Sequence, residues 1–311
     1  MVPRGPKSDE ITAPLDLTDP RFAVGGVVGR GGMSVIYAAT DVQRGGKIAI
    51  KACRKRDAAA WMRLQRETSV LAVLDHPRIL PIYASGITPS GAPWLATRLV
   101  EGTTLEQKLK ADPKSWPKLL PHVVDVADAI AHAHGRGIVH RDLKPGNVLV
   151  DQQGHTVIID WGLAREMGAA EPDAPPARPS AQITLPGAAV GTPGYWAPEQ
   201  RAEGDVVDPR SDVYSLGATL FRMIAGHPGY PVVPLGADLE KELAPAPPAL
   251  RALVARATAI SPSARHPTMA QFAEELRNLV PGRRRGVPPL LVAVVVLLAL
   301  ASIGLLIYLL P

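Results

Sequence analysis

The sequence predicts an α+β fold of two lobes, a small β-rich lobe followed by a larger helical one, with an added C-terminal transmembrane helix. Three observations predict it. Residues 21–53 alternate apolar and polar positions between glycine-rich turns, the apolar spacing becomes helical from Trp116 onward, and residues 290–310 contain no charged residue. A chain of 311 residues is long enough for two lobes with their own cores. A cleft between such lobes is the expected place for a binding site.

The small lobe is expected over residues 21–100, after a flexible Pro- and Asp-rich segment at 1–20. Its first 33 residues, 21–53, predict three strands joined by two glycine-rich turns. A helix then begins at Asp57 and ends before Pro77. Short strand-like stretches follow it, near residues 79–85 and 93–100.

The helical lobe is expected over residues 101–280. Apolar residues recur at helical spacing at 119–134, 212–226 and 269–280, and each stretch predicts a helix. The stretch at 212–226 is the most apolar of the three and is expected to be buried.

Residues 290–310 are long enough to cross a bilayer, because 21 residues of helix extend about 30 Å. The alternative is a buried C-terminal core helix, which would normally keep a polar stripe. Arginines at 277 and 283–285 precede the span and only Pro311 follows it, so the positive-inside bias places the domain in the cytoplasm of a single-pass inner-membrane protein. We expect no sensor domain beyond the membrane.

Residues 281–289 are interpreted as a basic juxtamembrane linker that meets anionic headgroups of the lipid bilayer. Its arginines could equally form a solvated stop or a nucleic-acid patch, but their place beside the apolar run favours the headgroups, and no nucleic-acid partner is expected. A single cysteine, Cys53, excludes an internal disulfide and any site built from several cysteines.

The stretch "IVHRDLKPGNVLV" at 138–150 crowds polar side chains between two apolar flanks. A structural turn there needs only Pro145 and Gly146. It does not need Asp142, Lys144 and Asn147 as well. These three residue types together suit a site that holds a metal-bound phosphate and a hydroxyl nucleophile.

Glycines between the first two predicted strands, in Gly29-Arg30-Gly31-Gly32, let backbone N–H groups approach a phosphate closely. A plain glycine-rich hairpin turn is the alternative. A strand, not a helix, follows this loop, which argues against a dinucleotide-binding fold.

Lys51 lies in the apolar run "IAIKAC" and, if it points inward, requires a partner. Glu67 shares the apolar face of the following helix with Leu64 and Leu71, so we expect a Lys51–Glu67 pair. A surface pair between Glu67 and Arg63 is the alternative.

Asp160 ends the apolar run "TVIID", where its carboxylate could hold Mg²⁺. An ordinary turn aspartate before Gly162 is the competing interpretation.

Taken in order, these motifs resemble the protein kinase family, and "HRDLKPGN" with "GTPGYWAPEQ" resembles its bacterial, Hanks-type serine/threonine branch. The resemblance covers residues 22 to 280 and implies a two-lobed protein-kinase fold for residues 21–280. It also implies that Arg265 pairs with Glu199.

The resemblance implies a role for each candidate residue. Lys51, positioned by Glu67, would hold the ATP phosphates, Asp142 would accept the proton of the substrate hydroxyl, and Lys144 would steady the γ-phosphate. The metal, Mg²⁺ with Mn²⁺ as the alternative, would bind Asn147 and Asp160. The nucleotide itself would contact the glycine loop and a set of wall and hinge residues: Val35, Ala49, Thr97, Arg98, Val100 and Leu149.

The resemblance also implies protein substrates, because Lys144 in "DLKP" and Thr192 match positions of protein kinases, whereas small-molecule kinases of related fold do not usually show "DLKP". We expect autophosphorylation at Ser180 or Thr184, whose phosphate Arg141 could pair with. A solvated linker with incidental hydroxyls is the alternative. A second copy of the chain is a candidate partner.

Two departures from the family pattern stand out. Ser34 takes the place of the third loop glycine, and Trp161 takes the place of a phenylalanine. Neither removes a charged group, so we expect slower or differently regulated catalysis. The rival hypothesis from another class is a pseudokinase scaffold that binds nucleotide without transferring phosphate.

Overall fold

The chain is described from a computed structural model over residues 19–31, 34–53, 58–168, 193–201, 208–229 and 235–281, together with Leu15, Leu17 and Val233. Several predicted features lie outside these residues. They are Gly32, Ser180, Thr184, Thr192, the membrane span 290–310, the linker 281–289 after its first residue, and most of segment 1–20.

A five-stranded antiparallel sheet, in the order β1-β2-β3-β5-β4, forms most of the small lobe. One helix, α1, packs against it. The elements are β1 (Phe22–Arg30), β2 (Ser34–Asp41), β3 (Gly46–Cys53), α1 (Ala58–Val73), β4 (Ile82–Ile87) and β5 (Pro93–Arg98).

The register of this sheet separates its two faces. Val35 pairs with Ala52 and Tyr37 with Ile50, and these residues face a buried apolar cluster of the small lobe. Directly paired residues point to the same face, and neighbours along a strand point to opposite faces. Ile36, which pairs with Lys51, therefore points to the other side of the sheet, toward the cleft.

Helices form most of the second lobe, and two small, largely buried sheets complete it. The elements are β6 (Gly102–Thr104), α2 (Leu105–Ala111), α3 (Trp116–Gly135), β7 (Ile138–Val139), β8 (Val148–Asp151), β9 (Thr156–Ile158), β10 (Arg165–Glu166), α4 (Arg210–Ala225), α5 (Gly236–Glu242), α6 (Pro248–Ala257) and α7 (Met269–Leu279). The small sheets have the orders β6-β8-β9 and β10-β7.

Helix α4 is the centre of the helical lobe. Every residue from Ser211 to Ile224 is buried except Arg222, which confirms the prediction of a buried helix there. The helix ends at Gly226, whose φ of 83° is left-handed and suits glycine at a helix C-terminus.

The predicted two-lobed arrangement is confirmed, with helices α1, α3, α4 and α7 at the expected places. The short helices α2, α5 and α6 were not predicted. Among the described helices, none combines the length and the apolar character that crossing a bilayer requires.

Arg265 ties the segment 193–201 to the helical lobe. Its guanidinium is fully buried and donates to both carboxylate oxygens of Glu199, at 2.5 and 2.7 Å. It also donates to the backbone carbonyls of Ala259, Ile260 and Arg210. The guanidinium is therefore held by one carboxylate and three backbone carbonyls, and the predicted Arg265–Glu199 pair is confirmed.

We predict that Glu199→Ala lowers the free energy of unfolding by about 3–5 kcal/mol, because it leaves the Arg265 charge buried without its counter-ion. Urea denaturation at pH 7 measures the change. Glu240→Ala is the matched control, since Glu240 forms an exposed pair with Arg251 and its loss should cost less than about 1 kcal/mol. Equal losses of unfolding free energy in the two variants would contradict the role of the Glu199–Arg265 pair in holding the segment 193–201 to the helical lobe.

Candidate active site

The turn between β7 and β8 is fixed by a buried carboxylate on α4. Asp212 accepts hydrogen bonds from the backbone N–H groups of His140 and Arg141, each at 2.8 Å, and contacts His134 Nε2 at 2.8 Å. Burial alone would raise the pKa of Asp212, but the bond and charge of His134, with the backbone donors, hold it below its usual value. The charged carboxylate therefore holds the backbone of this turn, where Arg141 has a left-handed φ of 67°.

Asp142 comes next along the chain, and its carboxylate is oriented by two neighbours. Oδ2 accepts from Lys144 Nζ at 2.7 Å and from Asn147 Nδ2 at 2.9 Å. Asn147 Nδ2 also donates to the Asp142 carbonyl at 2.8 Å, which closes the turn on itself. Within the described residues no hydrogen bond reaches Oδ1, so this oxygen can accept one from a substrate hydroxyl.

Lys51 links the two lobes electrostatically. Its Nζ lies 2.6 Å from Glu67 Oε2 on α1 and 3.7 Å from Asp160 Oδ1 of the helical lobe. Burial alone would lower the pKa of Lys51, but the two carboxylates together raise it, so the ammonium stays charged. The predicted pair with Glu67 is confirmed, and because Glu67 is only 6% exposed, a surface pair with Arg63 is not its arrangement.

Asp160 lies two residues beyond β9 and beside the turn of Asn147, because Ile159 N–H donates to the Asn147 carbonyl at 2.9 Å. Its side chain is 52% exposed toward the cleft. Burial opposes ionisation, but the charges of Lys51 and Lys144 and the backbone N–H of Gly162 keep the pKa of Asp160 below its usual value.

The structure thus brings a carboxylate and a side-chain amide oxygen to one side of the cleft. Oxygen ligands of this kind suit Mg²⁺ or Mn²⁺. The donor set of Asp160 and Asn147 therefore fits the metal that the resemblance implies.

Three of the predicted nucleotide-contacting residues lie on the cleft walls. Ala49 and Thr97 are paired across β3 and β5 on the cleft face of the sheet, and Thr97 donates to the Pro81 carbonyl at 2.7 Å. Leu149 is half-buried between Val148 and Val150, which point into the core of the helical lobe. Arg98 is the last residue of β5, and Val100 follows it outside the sheet.

Val35 does not share this face. It is 6% exposed and lies in the apolar cluster on the other side of the sheet. Ile36, one residue later, pairs with Lys51 and takes the cleft position that was assigned to Val35. The assignment was wrong by one residue, and a slip of one residue along a strand reverses its face.

The structure describes the two ends of the glycine loop, residues 29–31 and Ser34. Gly29 and Arg30 end β1, and Gly31 N–H donates to the Ser34 carbonyl at 2.9 Å. A Cβ at Gly29 would lie 3.3 Å from Cδ1 of Ile36, so a larger residue there would require the Ile36 side chain to shift slightly. Ser34 begins β2 at the place of the missing third glycine.

Trp161 packs in the interior behind Asp160. It is 1% exposed, and its ring centroid lies 4.6 Å from that of His140. Within the described residues neither Trp161 Nε1 nor His140 Nε2 has a hydrogen-bond partner. A buried donor without a partner costs about 1–3 kcal/mol, so the indole is accommodated at an energetic cost.

Sequence reasoning missed two residues that support the site. His134 contacts Asp212, and Gln200 Nε2 donates to the Arg141 carbonyl at 3.1 Å. No local pattern distinguishes either residue, because each acts on a turn far away in the sequence. Ile36 was also missed, because its place on the cleft face follows from the pairing of β2 with β3 opposite Lys51, which the sequence alone does not give.

Comparisons with known proteins agree with this geometry. A family model described as "Protein kinase domain" matches residues 22–292. The serine/threonine-protein kinases PknB of Mycolicibacterium smegmatis and Mycobacterium leprae are each 32% identical over 301 residues, 90% of this chain and 46% of the relative. A probable serine/threonine-protein kinase of Streptomyces coelicolor is 35% identical over 217 residues, 68% of this chain and 31% of the relative. The chain spans about half or less of the length of these relatives.

We predict that Asp212→Asn lowers the free energy of unfolding at pH 7 by about 3 kcal/mol, because a buried charged acceptor of several hydrogen bonds is lost. The pKa of Asp212 is lower in the folded protein than the ordinary 3.8. Its contribution is therefore complete above pH 3.8 and is lost as the pH falls through the folded-state pKa. Urea denaturation of both proteins from pH 7 downward should show the difference shrinking below pH 3.8.

The control is Glu274→Gln, an exposed carboxylate on α7, which should change stability by less than about 0.5 kcal/mol. A difference between Asp212→Asn and the wild type that stays constant down to pH 3 would contradict the electrostatic role of Asp212.

Proposed function

The chain belongs to the protein kinase family, and on this premise we propose that it is a bacterial serine/threonine protein kinase that transfers the γ-phosphate of ATP to protein hydroxyls. One observation carries the proposal. The Asp142 carboxylate is held through Oδ2 by Lys144 and Asn147, and in the same cleft Lys51 lies 3.7 Å from the Asp160 carboxylate. The names of the relatives, which are serine/threonine-protein kinases, support this class of substrate.

Asp142 is proposed to orient the substrate hydroxyl and accept its proton. Because Oδ2 already holds two hydrogen bonds, the hydroxyl would donate to Oδ1. Phosphoryl transfer depends mainly on alignment and charge neutralisation, and a carboxylate fixed on two sides supplies the alignment. Lys144, bonded to the same carboxylate, is placed to neutralise charge on the transferred phosphate.

Lys51 is proposed to hold the ATP phosphates, with Glu67 fixing its position. Asp160 and Asn147 would hold Mg²⁺, or Mn²⁺ in its place. When bound, the metal would neutralise negative charge on the phosphate oxygens. The glycine loop, Gly29 to Gly32, would cover the phosphates with its backbone N–H groups.

Ala49, Ile36 and Thr97 above and Leu149 below are proposed to enclose the adenine, with the backbone at Arg98 and Val100 bonding its edge. The sheet register supports this set, since Ile36, Ala49, Lys51 and Thr97 lie on one face. Autophosphorylation at Ser180 or Thr184 remains part of the proposal. It is motivated by Arg141, a buried cation next to Asp142.

We predict that the full chain transfers labelled phosphate from Mg-ATP to a serine- or threonine-containing protein and that Asp142→Asn lowers the rate by about 10²–10⁴-fold, because the general base is lost. ATP binding should survive in Asp142→Asn. Phosphate incorporation and fluorescent-nucleotide binding measure the two quantities separately.

Glu274→Gln serves as the active control. Nucleotide binding by the wild type without any phosphate transfer would contradict the proposal and favour a pseudokinase scaffold. Transfer to a small molecule but to no protein would contradict the substrate class.

We also propose that residues 290–310 anchor the kinase in the inner membrane with its catalytic domain on the cytoplasmic side. The support is the uncharged 21-residue run and the preceding arginines at 283–285. An anionic membrane surface would attract these arginines.

We predict that the wild-type chain stays with the membrane fraction after alkaline carbonate extraction. Val296→Arg combined with Leu300→Arg should release it, because each arginine at the centre of a span costs about 2.5–3.5 kcal/mol. Val28→Arg, at an exposed position of β1, is the control for added charge. Extraction of the wild-type chain by carbonate would favour the alternative of a core helix.

A further inference from the structure

A carboxylate lies between two cations where α2 meets α4. Glu106 Oε1 is 3.3 Å from Arg222 Nη2 and 3.6 Å from Lys110 Nζ. We call Glu106, Lys110 and Arg222 the α2–α4 charge cluster. Two positive charges and one negative charge leave the cluster with a net charge of +1. Within the described residues no second carboxylate lies within ion-pair distance of either cation.

The cluster lies next to the segment 193–201, because α4 packs against the turn Pro193–Tyr195. Burial and the charge of Glu106 raise the pKa of the Tyr195 hydroxyl, although the nearby Arg222 opposes the shift. Tyr195 is 5% exposed and therefore stays neutral. It offers no negative charge, so the surplus positive charge of the cluster is not compensated from this side.

The cluster lies close to the transfer site. Helix α2 packs against the 3-10 turn Pro145–Asn147, which immediately follows Lys144. A Cβ added at Gly146 would meet no atom within 4 Å, so the space beside this turn is open. Because α2 packs against this turn, a polypeptide that presents its hydroxyl to Asp142 there would come close to the cluster.

We propose that the α2–α4 charge cluster selects acidic protein substrates and that Arg222 binds an aspartate or glutamate side chain that flanks the phosphorylated serine or threonine. This inference rests on the proposed kinase function. The guanidinium has five N–H donors in a planar fork, and its bond to Glu106 leaves others for a second carboxylate. An acidic side chain would bring the net charge of the cluster to zero.

An anionic membrane surface could be attracted by the same charges, but the geometry favours a peptide. The Arg222 side chain is only 11% exposed, whereas Lys110 is 70% exposed. A planar layer of headgroups would reach Lys110 and leave Arg222 uncovered. A single side chain entering between α2 and the segment 193–201 can reach both.

The test uses the full chain and three peptides with one shared acceptor, flanked by aspartates, by alanines or by lysines. We expect kcat/KM for the aspartate peptide to exceed that for the lysine peptide by about tenfold or more at low salt, with a smaller ratio at high salt. The measured quantity is the ratio of kcat/KM values, which cancels any general loss of activity in a variant.

Three variants sharpen the test. Arg222→Gln should bring the ratio close to one, because it removes the surplus charge, while Arg222→Lys should keep most of the preference. Arg222→Glu changes the net charge of the cluster from +1 to −1. It should reverse the preference toward the lysine peptide, a change that a purely structural role of the pair would not produce.

A ratio near one in the wild type, or one that Arg222→Gln leaves unchanged, would overturn the inference while leaving the kinase function intact. Binding of the chain to anionic vesicles that depends on Arg222, with no effect of Arg222→Gln on the peptides, would assign the cluster to the membrane instead. Failure to phosphorylate any peptide or protein would overturn the proposed function, and the inference with it.

Discussion

The geometry of the site depends on one buried carboxylate, Asp212. Taking a carboxylate out of water is costly, and the cost is offset only if its oxygens are fully bonded. Here two backbone N–H groups and His134 supply the bonds, and the N–H groups belong to the residues just before Asp142. The hydrogen bonds that satisfy Asp212 therefore also fix the backbone just before Asp142, and with it the direction in which the chain presents Asp142.

A second constraint acts between the lobes. Lys51 belongs to the small lobe, but one of its carboxylate partners, Asp160, belongs to the helical lobe. Lys51 compensates both carboxylates, which repel each other, and neither the buried ammonium nor the buried Glu67 would be stable without this pairing. The charge balance of the cleft is thus shared across both lobes, and a change in the separation of the lobes would alter the position of Lys51 and its ion pair with Asp160 together.

Features that follow from local sequence patterns could be predicted, whereas those that depend on contacts between residues far apart in the sequence could not. Alternating and helical apolar patterns located the sheet and the long helices, and the Lys51–Glu67 pair followed from two apolar faces that each carried one charge. Helices as short as α2 carry too little periodicity to be predicted. Val35 and Ile36 were confused because adjacent strand residues have similar chemistry, and only the register separates them. The partners of Asp212 come from 71 to 78 residues away, so no local pattern could identify them.

Trp161 shows how the site tolerates buried hydrogen-bond donors that lack a partner within the described residues. His140 Nδ1 accepts the backbone N–H of Asp142 at 3.2 Å, and burial lowers the His140 pKa, so the neutral ring carries its proton on Nε2. In the part of the chain that the structure describes, these two buried N–H donors, one on each ring, therefore have no acceptor, and they lie next to Asp160, whose φ of 67° is left-handed. Strain of this kind persists only where surrounding interactions determine the conformation. At this site those interactions are the attraction of Lys51 for Asp160, the hydrogen bonds of Asp212 to its turn and the burial of the Trp161 ring in the apolar core, and together they offset the cost of the two donors.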